Sequence, residues 1–253
     1  MDHGPGNPFF SRYAATYTTN PSHARGEDLQ ELVQALRPQP HELALDVATG
    51  TGHTALALAP LVMTVLGLDL TAAMLAQARK LAREKQVANA VWLTGDAMAL
   101  PFLDGTFDLV TCRRAFHHFP RPAVALAEMA RVLKPGGRLG VVDMTVPAGP
   151  GGRLFNALEW ARDHTHVQAL DDQSWLALAA GAGLEITYHT NPGEFIPLPR
   201  WLYPVDPQSP EGLEVHELLR QATPEELAGI GWAENPAPGF VKRRIILVAY
   251  KRG

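Results

Sequence analysis

The sequence has one cysteine, Cys112, among 253 residues, which excludes a fold that depends on internal disulfide bonds. No apolar run approaches the roughly 20 residues of a membrane-spanning helix, and residues 1–5 lack the basic start of a signal peptide. Positive charge is not in excess, since 22 Lys and Arg stand against 26 Asp and Glu. These absences predict a globular, cytoplasmic protein with no membrane span, whose main partner is not a nucleic acid.

Two short basic clusters do not change this prediction. Arg79, Lys80 and Arg83 form one of them, residues 242–244 form the other, and apolar positions flank both. A track for nucleic-acid phosphates needs a broader basic face. We interpret the clusters as solvated faces of a helix and a strand.

The sequence is dominated by short apolar runs that alternate with helical patterns. Strands are predicted at 43–47, 63–68, 91–93, 107–112, 138–144, 184–188 and 245–250. Helices are predicted at 27–36, 53–59, 72–82, 122–133 and 174–182, whereas residues 191–240 form no tidy βα unit. This order predicts an α/β fold with a mostly parallel sheet.

A glycine-rich turn follows the first predicted strand. Gly50 and Gly52 lack a Cβ, so the backbone can turn sharply there and approach a ligand closely. Asp46, at the end of the strand, can accept bonds from loop amides or receive a ligand ammonium group. Gly50-x-Gly52-x-x-Ala55 also fits the dinucleotide fingerprint, and a plain glycine turn is the simpler alternative.

An acidic residue, Asp69, ends the second predicted strand. An acid at this position reaches the hydroxyls of a bound ribose in either class of nucleotide-like cofactor. The alternative is that Asp69 only caps the helix that begins after Thr71. We prefer the ribose role because position and charge both fit.

Three later segments narrow the choice of cofactor. They are Thr94-Gly95-Asp96-Ala97, residues 100–110 and residues 131–139. In this order, together with the glycine loop, they resemble the class I S-adenosyl-L-methionine (SAM)-dependent methyltransferases, most of all the branch of the ubiquinone/menaquinone-biosynthesis enzymes. The resemblance is strongest over residues 40–145.

This resemblance implies a Rossmann-like, mostly parallel seven-stranded sheet with helices on both faces, an antiparallel last strand and a helical N-terminal lid. It implies one methyltransferase domain over residues 1–253. The expected parts are a lid at 1–36, a SAM-binding core at 37–145, acceptor-site elaborations with one more βα unit at 146–240, and the last strand at 241–253.

The same resemblance assigns cofactor-binding residues. For the methionine part of SAM they are Asp46, Ala48, Thr49, Gly50, Gly52 and the backbone around Arg113. For the ribose and adenine they are Asp69, Leu70, Asp96 and Ala97. In the lid, Tyr17 and His23 are implied to close over the cofactor, with surface packing as the alternative.

Histidines follow the fourth predicted strand, where ligands sit in such folds. His117 or His118 can take a proton from an acceptor, and the alternative is that they shape the pocket. His164 and His166 lie in a later segment, but no second cluster with ligand spacing accompanies them, so no metal site is expected.

The predicted function is transfer of a methyl group from SAM to a small-molecule acceptor by in-line displacement, with S-adenosyl-L-homocysteine (SAH) as product. An apolar or aromatic acceptor is one option, because aromatic residues concentrate in the later regions. These residues, which we interpret first as core under a long loop, are Phe155, Trp160, Phe195, Trp201, Tyr203 and Trp232. The alternatives are an NAD-dependent oxidoreductase and a SAM-binding protein without transferase activity.

Overall fold

Strands and helices alternate over the first half of the chain in the computed structural model. The structure describes residues 26–235 and 237–252, together with residues 10, 14, 15, 18 and 24. The first elements are α1 (Glu27–Leu36), β1 (Leu43–Val47), α2 (His53–Leu58), β2 (Thr64–Asp69), α3 (Ala72–Glu84), β3 (Ala90–Thr94), β4 (Phe107–Arg113), α4 (Pro122–Val132) and β5 (Leu133–Val146). The later elements are α5 (Pro150–Arg162), β6 (Leu170–Asp171), α6 (Asp172–Gly181), β7 (Leu184–Thr190), β8 (Gly193–Pro197), α7 (Leu198–Leu202), α8 (Pro210–Gln221), α9 (Pro224–Gly229) and β9 (Gly239–Lys251).

The strands form one sheet in the order β3-β2-β1-β4-β5-β9-β7, with β6 beside β5 and β8 beside β9. Neighbouring strands from β3 to β5 are parallel, whereas β9 runs antiparallel to β5, β7 and β8. The predicted Rossmann-like fold with an antiparallel last strand is therefore confirmed. The short strands β6 and β8 extend the predicted seven-stranded sheet.

Helices cover both faces of the sheet because successive strand residues point to opposite sides. Leu247 of β9 belongs to one apolar core, together with Leu126 of α4 and Trp175 of α6. The next residue, Val248, belongs to the core on the other face, together with Leu32 of α1. Among the described residues, no helix has the length and apolar character of a membrane span.

Residues 191–240 fold more regularly than the sequence indicates. They contain β8 and the helices α7, α8 and α9, and each of these helices has a proline in its first turn. Proline fits there because the N–H that it lacks would have no partner within the helix. The prolines that obscure the pattern in the sequence therefore mark helix starts.

The aromatic residues of the later regions divide between core and surface. Phe155 and Trp201 are buried in a third apolar cluster, where both rings contact Phe240 of β9. Trp160 and Tyr203 are exposed. The interpretation as core is confirmed for Phe155 and Trp201 and is wrong for the two exposed residues.

The glycine turn between β1 and α2 packs against a tryptophan. Gly52 has a φ of +85°, and a Cβ there would lie 2.6 Å from Cη2 of Trp92 in β3. Gly50 has a φ of +55°, but a Cβ there would have no atom within 4 Å. A side chain at position 52 would therefore clash with Trp92 of the sheet, whereas a side chain at position 50 would extend into open space.

We expect Gly52→Ala to lower the free energy of unfolding by about 2–4 kcal/mol, because the new methyl group adds a clash to the left-handed backbone strain. Gly50→Ala is the matched control and should cost about 1–2 kcal/mol, since it adds the strain alone. Urea denaturation of both variants measures the difference. Equal losses would show that Trp92 does not limit the turn.

Candidate functional site

A cavity of about 920 Å³ lies where the parallel strands end. Ligands bind at this edge in open α/β sheets, and the volume is in the range of small-molecule sites. Two regions of the wall matter for the chemistry. One is formed by the glycine turn and the ends of β2 and β3, and the other by the short helical turn Phe116–His118, the end of α5 and the start of β9.

Asp46 lies beneath the glycine turn as a fully bonded, buried carboxylate. Its Oδ2 accepts from the Thr49 hydroxyl at 2.6 Å and from the Ala55 N–H at 3.2 Å. Its Oδ1 accepts from the Thr111 hydroxyl of β4 at 2.7 Å. Burial raises the pKa of Asp46 to about 6, although these bonds favour the charged form.

Asp69 joins the glycine turn to the start of α3. Its Oδ2 accepts from the Gly50 N–H and its Oδ1 from the Thr71 N–H, both at 2.8 Å. Thr71 is the N-cap residue of α3 and its side chain makes no capping bond, so the start of the helix is fixed through the backbone N–H of Thr71 on Asp69. Each carboxylate oxygen can accept more than one bond, so Asp69 can also meet ligand hydroxyls in the cavity.

The segment after β3 places another carboxylate at the cavity wall. Oδ1 of Asp96 accepts from the Met98 N–H at 2.8 Å, which fixes the turn, and Oδ2 makes no hydrogen bond within the described part of the chain. Ala97 and the partly exposed Leu70 line the same region. A flat ligand in this region can be bound by the polar carboxylate of Asp96 and by the apolar side chains of Leu70 and Ala97.

Two arginines at the end of β4 share one buried acid. The guanidinium group of Arg113 lies 3.4 Å from Asp28 of α1, and that of Arg114 lies 2.7 Å from the same carboxylate. Arg113 also donates to the Thr54 hydroxyl at 3.2 Å. These contacts hold α1 against the end of β4.

His117 forms a dyad with Asp143 of β5. Nδ1 of His117 lies 2.5 Å from Oδ1 of Asp143. Asp143 is not among the site residues predicted from the sequence. Asp143 also accepts from the backbone N–H groups of Ala115, Phe116 and Met144. Burial alone would raise the pKa of Asp143, but His117 and these donors hold it below its ordinary value. Nε2 is therefore the ring nitrogen of His117 left for a ligand.

Two further histidines lie beside His117 and are neutral near pH 7. Burial, followed by the charge of His117, lowers the pKa of His118 to about 3, and burial lowers that of His166 to about 4. Nδ1 of His118 donates to the Thr165 carbonyl at 3.0 Å. Nε2 of His166 donates to Oδ1 of Asn156, which leaves its buried Nδ1 as an acceptor without a partner in the described structure. Within the described ranges, no three His, Cys, Asp or Glu side chains are arranged as a metal site.

The cavity brings together most of the predicted site residues. Those that line it are Ala48, Thr49, Gly50, Asp69, Leu70, Asp96, Ala97, Arg113, His117 and His118. Asp46 and Gly52 do not line it, since Asp46 lies beneath the turn and Gly52 packs against Trp92. Tyr17 and His23 lie outside the described residues, so their role stays a prediction.

The interpretation of residues 242–244 as a solvated basic face is wrong for two of the three. Lys242 and Arg244 line the cavity, and only Arg243 points away into solvent. Successive side chains of a strand point to opposite faces, and this alternation in the sequence already separates Arg243 from Lys242 and Arg244. For Asp143, the missed signal was a lone acid within a buried apolar strand.

Comparisons with known proteins find relatives of this chain in sequence and in structure. The sequence model of the methyltransferase domain family matches residues 45–141. The chain is 39% identical over 170 residues to the uncharacterized methyltransferase YcgJ of Bacillus subtilis, covering 67% of each chain. It is 37% identical over 180 residues to the ubiquinone/menaquinone biosynthesis C-methyltransferase UbiE of a Ruegeria species, covering 62% of this chain and 71% of that one. A crystal structure of a putative methyltransferase from Bacillus halodurans has a TM-score of 0.83 and 32% identity, covering 90% of this chain and 100% of that one.

The raised pKa of Asp46 predicts how its substitution depends on pH. A carboxyl group whose folded-state pKa is raised stabilises the fold below about pH 4 and loses this contribution as the pH rises through about 6. We therefore expect the loss of unfolding free energy in Asp46→Asn to be about 1–3 kcal/mol smaller at about pH 7.5 than at about pH 4.5. Urea denaturation at both pH values, with Asp206→Asn at an exposed site as control, measures this. A loss that is equal at both pH values, or larger at the higher one, would contradict the assignment.

Proposed function

Because this chain belongs to the class I SAM-dependent methyltransferases, in the branch of the UbiE enzymes, we propose that its cavity holds SAM and a small-molecule acceptor beside His117. Methyl transfer from SAM is its activity. An NAD-dependent oxidoreductase and a SAM-binding protein without activity, the two alternatives considered for the sequence, are not favoured.

One observation carries the proposal. The same cavity is lined by the glycine turn and Asp69 in one region and by His117 in another. An enzyme that moves a group between two small molecules must hold both with their reacting atoms in contact. This arrangement provides a place for each.

The residues in the first region fit the cofactor. The open space at Gly50 allows a ligand to approach the backbone closely, as it must to lie along the turn. Asp69 has acceptor capacity for the ribose hydroxyls, and Oδ2 of Asp96 is available for the amino group of adenine. Leu70 supplies an apolar surface for the adenine ring.

SAM supplies a methyl group that is already electrophilic, so the protein does not have to provide a nucleophile. The protein has to hold the acceptor in line with the methyl group and keep water out. Such positioning can lower a barrier by about 7–11 kcal/mol. The walls formed by α5, β9 and the Phe116–His118 turn can serve this purpose.

His117 is the residue that we assign to proton removal from the acceptor. Its Nδ1–H is fixed on Asp143, so Nε2 is held in the form that accepts a proton, and Asp143 stabilises the resulting imidazolium. His118 is a poorer base because its pKa is lowered to about 3. His166 offers an additional buried acceptor for a hydroxyl group of the acceptor molecule.

We expect Asp69→Asn to raise the Kd of SAH at least about 10-fold, because a charged acceptor of ligand hydroxyls is lost. Asn keeps one carbonyl oxygen to bond the turn, so the fold should persist. Calorimetric titration with SAH, SAM and NAD in parallel measures this, and Asp104→Asn at an exposed site is the control. Unchanged SAH affinity would remove Asp69 from the ribose role, and binding of NAD alone would overturn the cofactor assignment.

We expect His117→Gln to lower turnover by about 10²–10⁴-fold while the Kd of SAH stays the same, since proton removal is lost and the cofactor contacts are not. Asp143→Asn should lower turnover too, because the ring loses its fixed tautomer. The assay follows conversion of SAM to SAH with a panel of small phenols, hydroxy acids and carbon acids. His216→Gln on the surface of α8 is the control, and full turnover in His117→Gln would refute the role of a base.

A further inference from the structure

Cations outnumber acids around the acceptor region of the cavity. Arg114, Arg162, Lys242 and Arg244 all line its wall. They come from the end of β4, the end of α5 and the start of β9.

Each buried acid behind this wall is shared by two cations. Asp28 pairs with both Arg113 and Arg114. Glu159 of α5 pairs with Arg162 at 2.9 Å and with Lys242 at 2.8 Å. Asp28 is 6% exposed and Glu159 is 1% exposed, so neither acid is available to a ligand. Both acids are therefore already bound by cations of the protein.

Arg244 is a further cation on this wall. It lies in β9 directly opposite Met144 of β5, and burial lowers its pKa, as does the nearby Arg114. Its guanidinium group makes no hydrogen bond or ion pair with any described residue. The acids that favour its charge are Asp28, which the other arginines already occupy, and Glu194, which is half-exposed and pairs with Arg200.

Neither acid that faces this region forms an ion pair with Arg244. Asp143 is occupied by His117 and three backbone donors. Asp163, on the cavity wall, accepts from the backbone and hydroxyl of Thr165 through its Oδ1. SAM itself carries a sulfonium, an ammonium and a carboxylate group, so its binding adds one more net positive charge.

We propose that the methyl acceptor is a small anion whose carboxylate or phosphate group binds to the guanidinium of Arg244. A guanidinium group matches both anions with two parallel N–H bonds. A desolvated charge without a partner is unfavourable, and an anionic ligand removes that cost. This inference rests on the proposed function, because it names the chemical class of the acceptor in the same cavity.

The test measures binding of matched probes to the SAH-saturated protein at constant ionic strength. Benzoate and phenyl phosphate are the anionic probes, and benzyl alcohol and phenol are their neutral counterparts. We expect at least one anionic probe to bind at least about 10-fold more tightly than its neutral counterpart. The stronger of the two anions identifies carboxylate or phosphate as the group that the site takes.

Variants of β9 locate the effect. Arg244→Gln should abolish the preference for anions and leave the Kd of SAH unchanged. Arg243→Gln removes the same charge from the opposite face of the strand and should keep the preference. Arg244→Lys retains the charge without the two parallel donors and should keep part of the preference for anions. This variant also provides the test if Arg244→Gln does not fold.

Three results would overturn the proposal. They are equal binding of neutral and anionic probes, a preference that persists in Arg244→Gln, and a loss of SAH affinity in that variant, which would assign Arg244 to the cofactor carboxylate. Failure of the unmodified protein to bind SAH would instead refute the proposed function. The two failures are thus distinguished by the SAH titration alone.

Discussion

The buried carboxylate of Asp46 is the constraint on which the shape of the glycine turn depends. It bonds the glycine turn through Thr49, the start of α2 through Ala55 and the neighbouring strand β4 through Thr111. A neutral residue of the same size could not accept from all three. The turn keeps its shape because one acid, removed from water at some cost, collects the donors around it.

The buried acids have different bonding partners in the two regions of the cavity. Asp46 and Asp69 are bonded mainly by neutral donors, and burial raises the pKa of both. Asp28 and Glu159 are bonded by cations, and their pKa values are lowered although burial opposes this. In the first arrangement the acids can still accept bonds from hydroxyls and amines, and in the second the ion pairs fix cations along the cavity wall.

The parts of the proposed cofactor region are local in the sequence. A turn, the ends of two strands and a short segment after β3 can each be identified within a few residues, and the cavity brings them together. The acceptor region could not be predicted in the same way. The contact of His117 with Asp143 and the placement of Arg244 opposite Met144 depend on which strands are neighbours, and the pattern of a single strand does not contain this information. The same holds for residues 191–240, whose helices are stabilised by packing on Phe240 and its neighbours.

The antiparallel direction of β9 has a consequence for how such an enzyme diversifies. Because β9 returns to the edge where β5 ends, the segment between them begins and finishes at the cavity. The parts of that segment outside α6 and β7, which belong to the sheet and its core, can change in length and side chains while the turn at Asp46 and the parallel strands stay as they are. Substitutions that alter recognition of the acceptor can therefore accumulate in this segment, while the framework formed by the turn and the parallel strands is retained for different substrates.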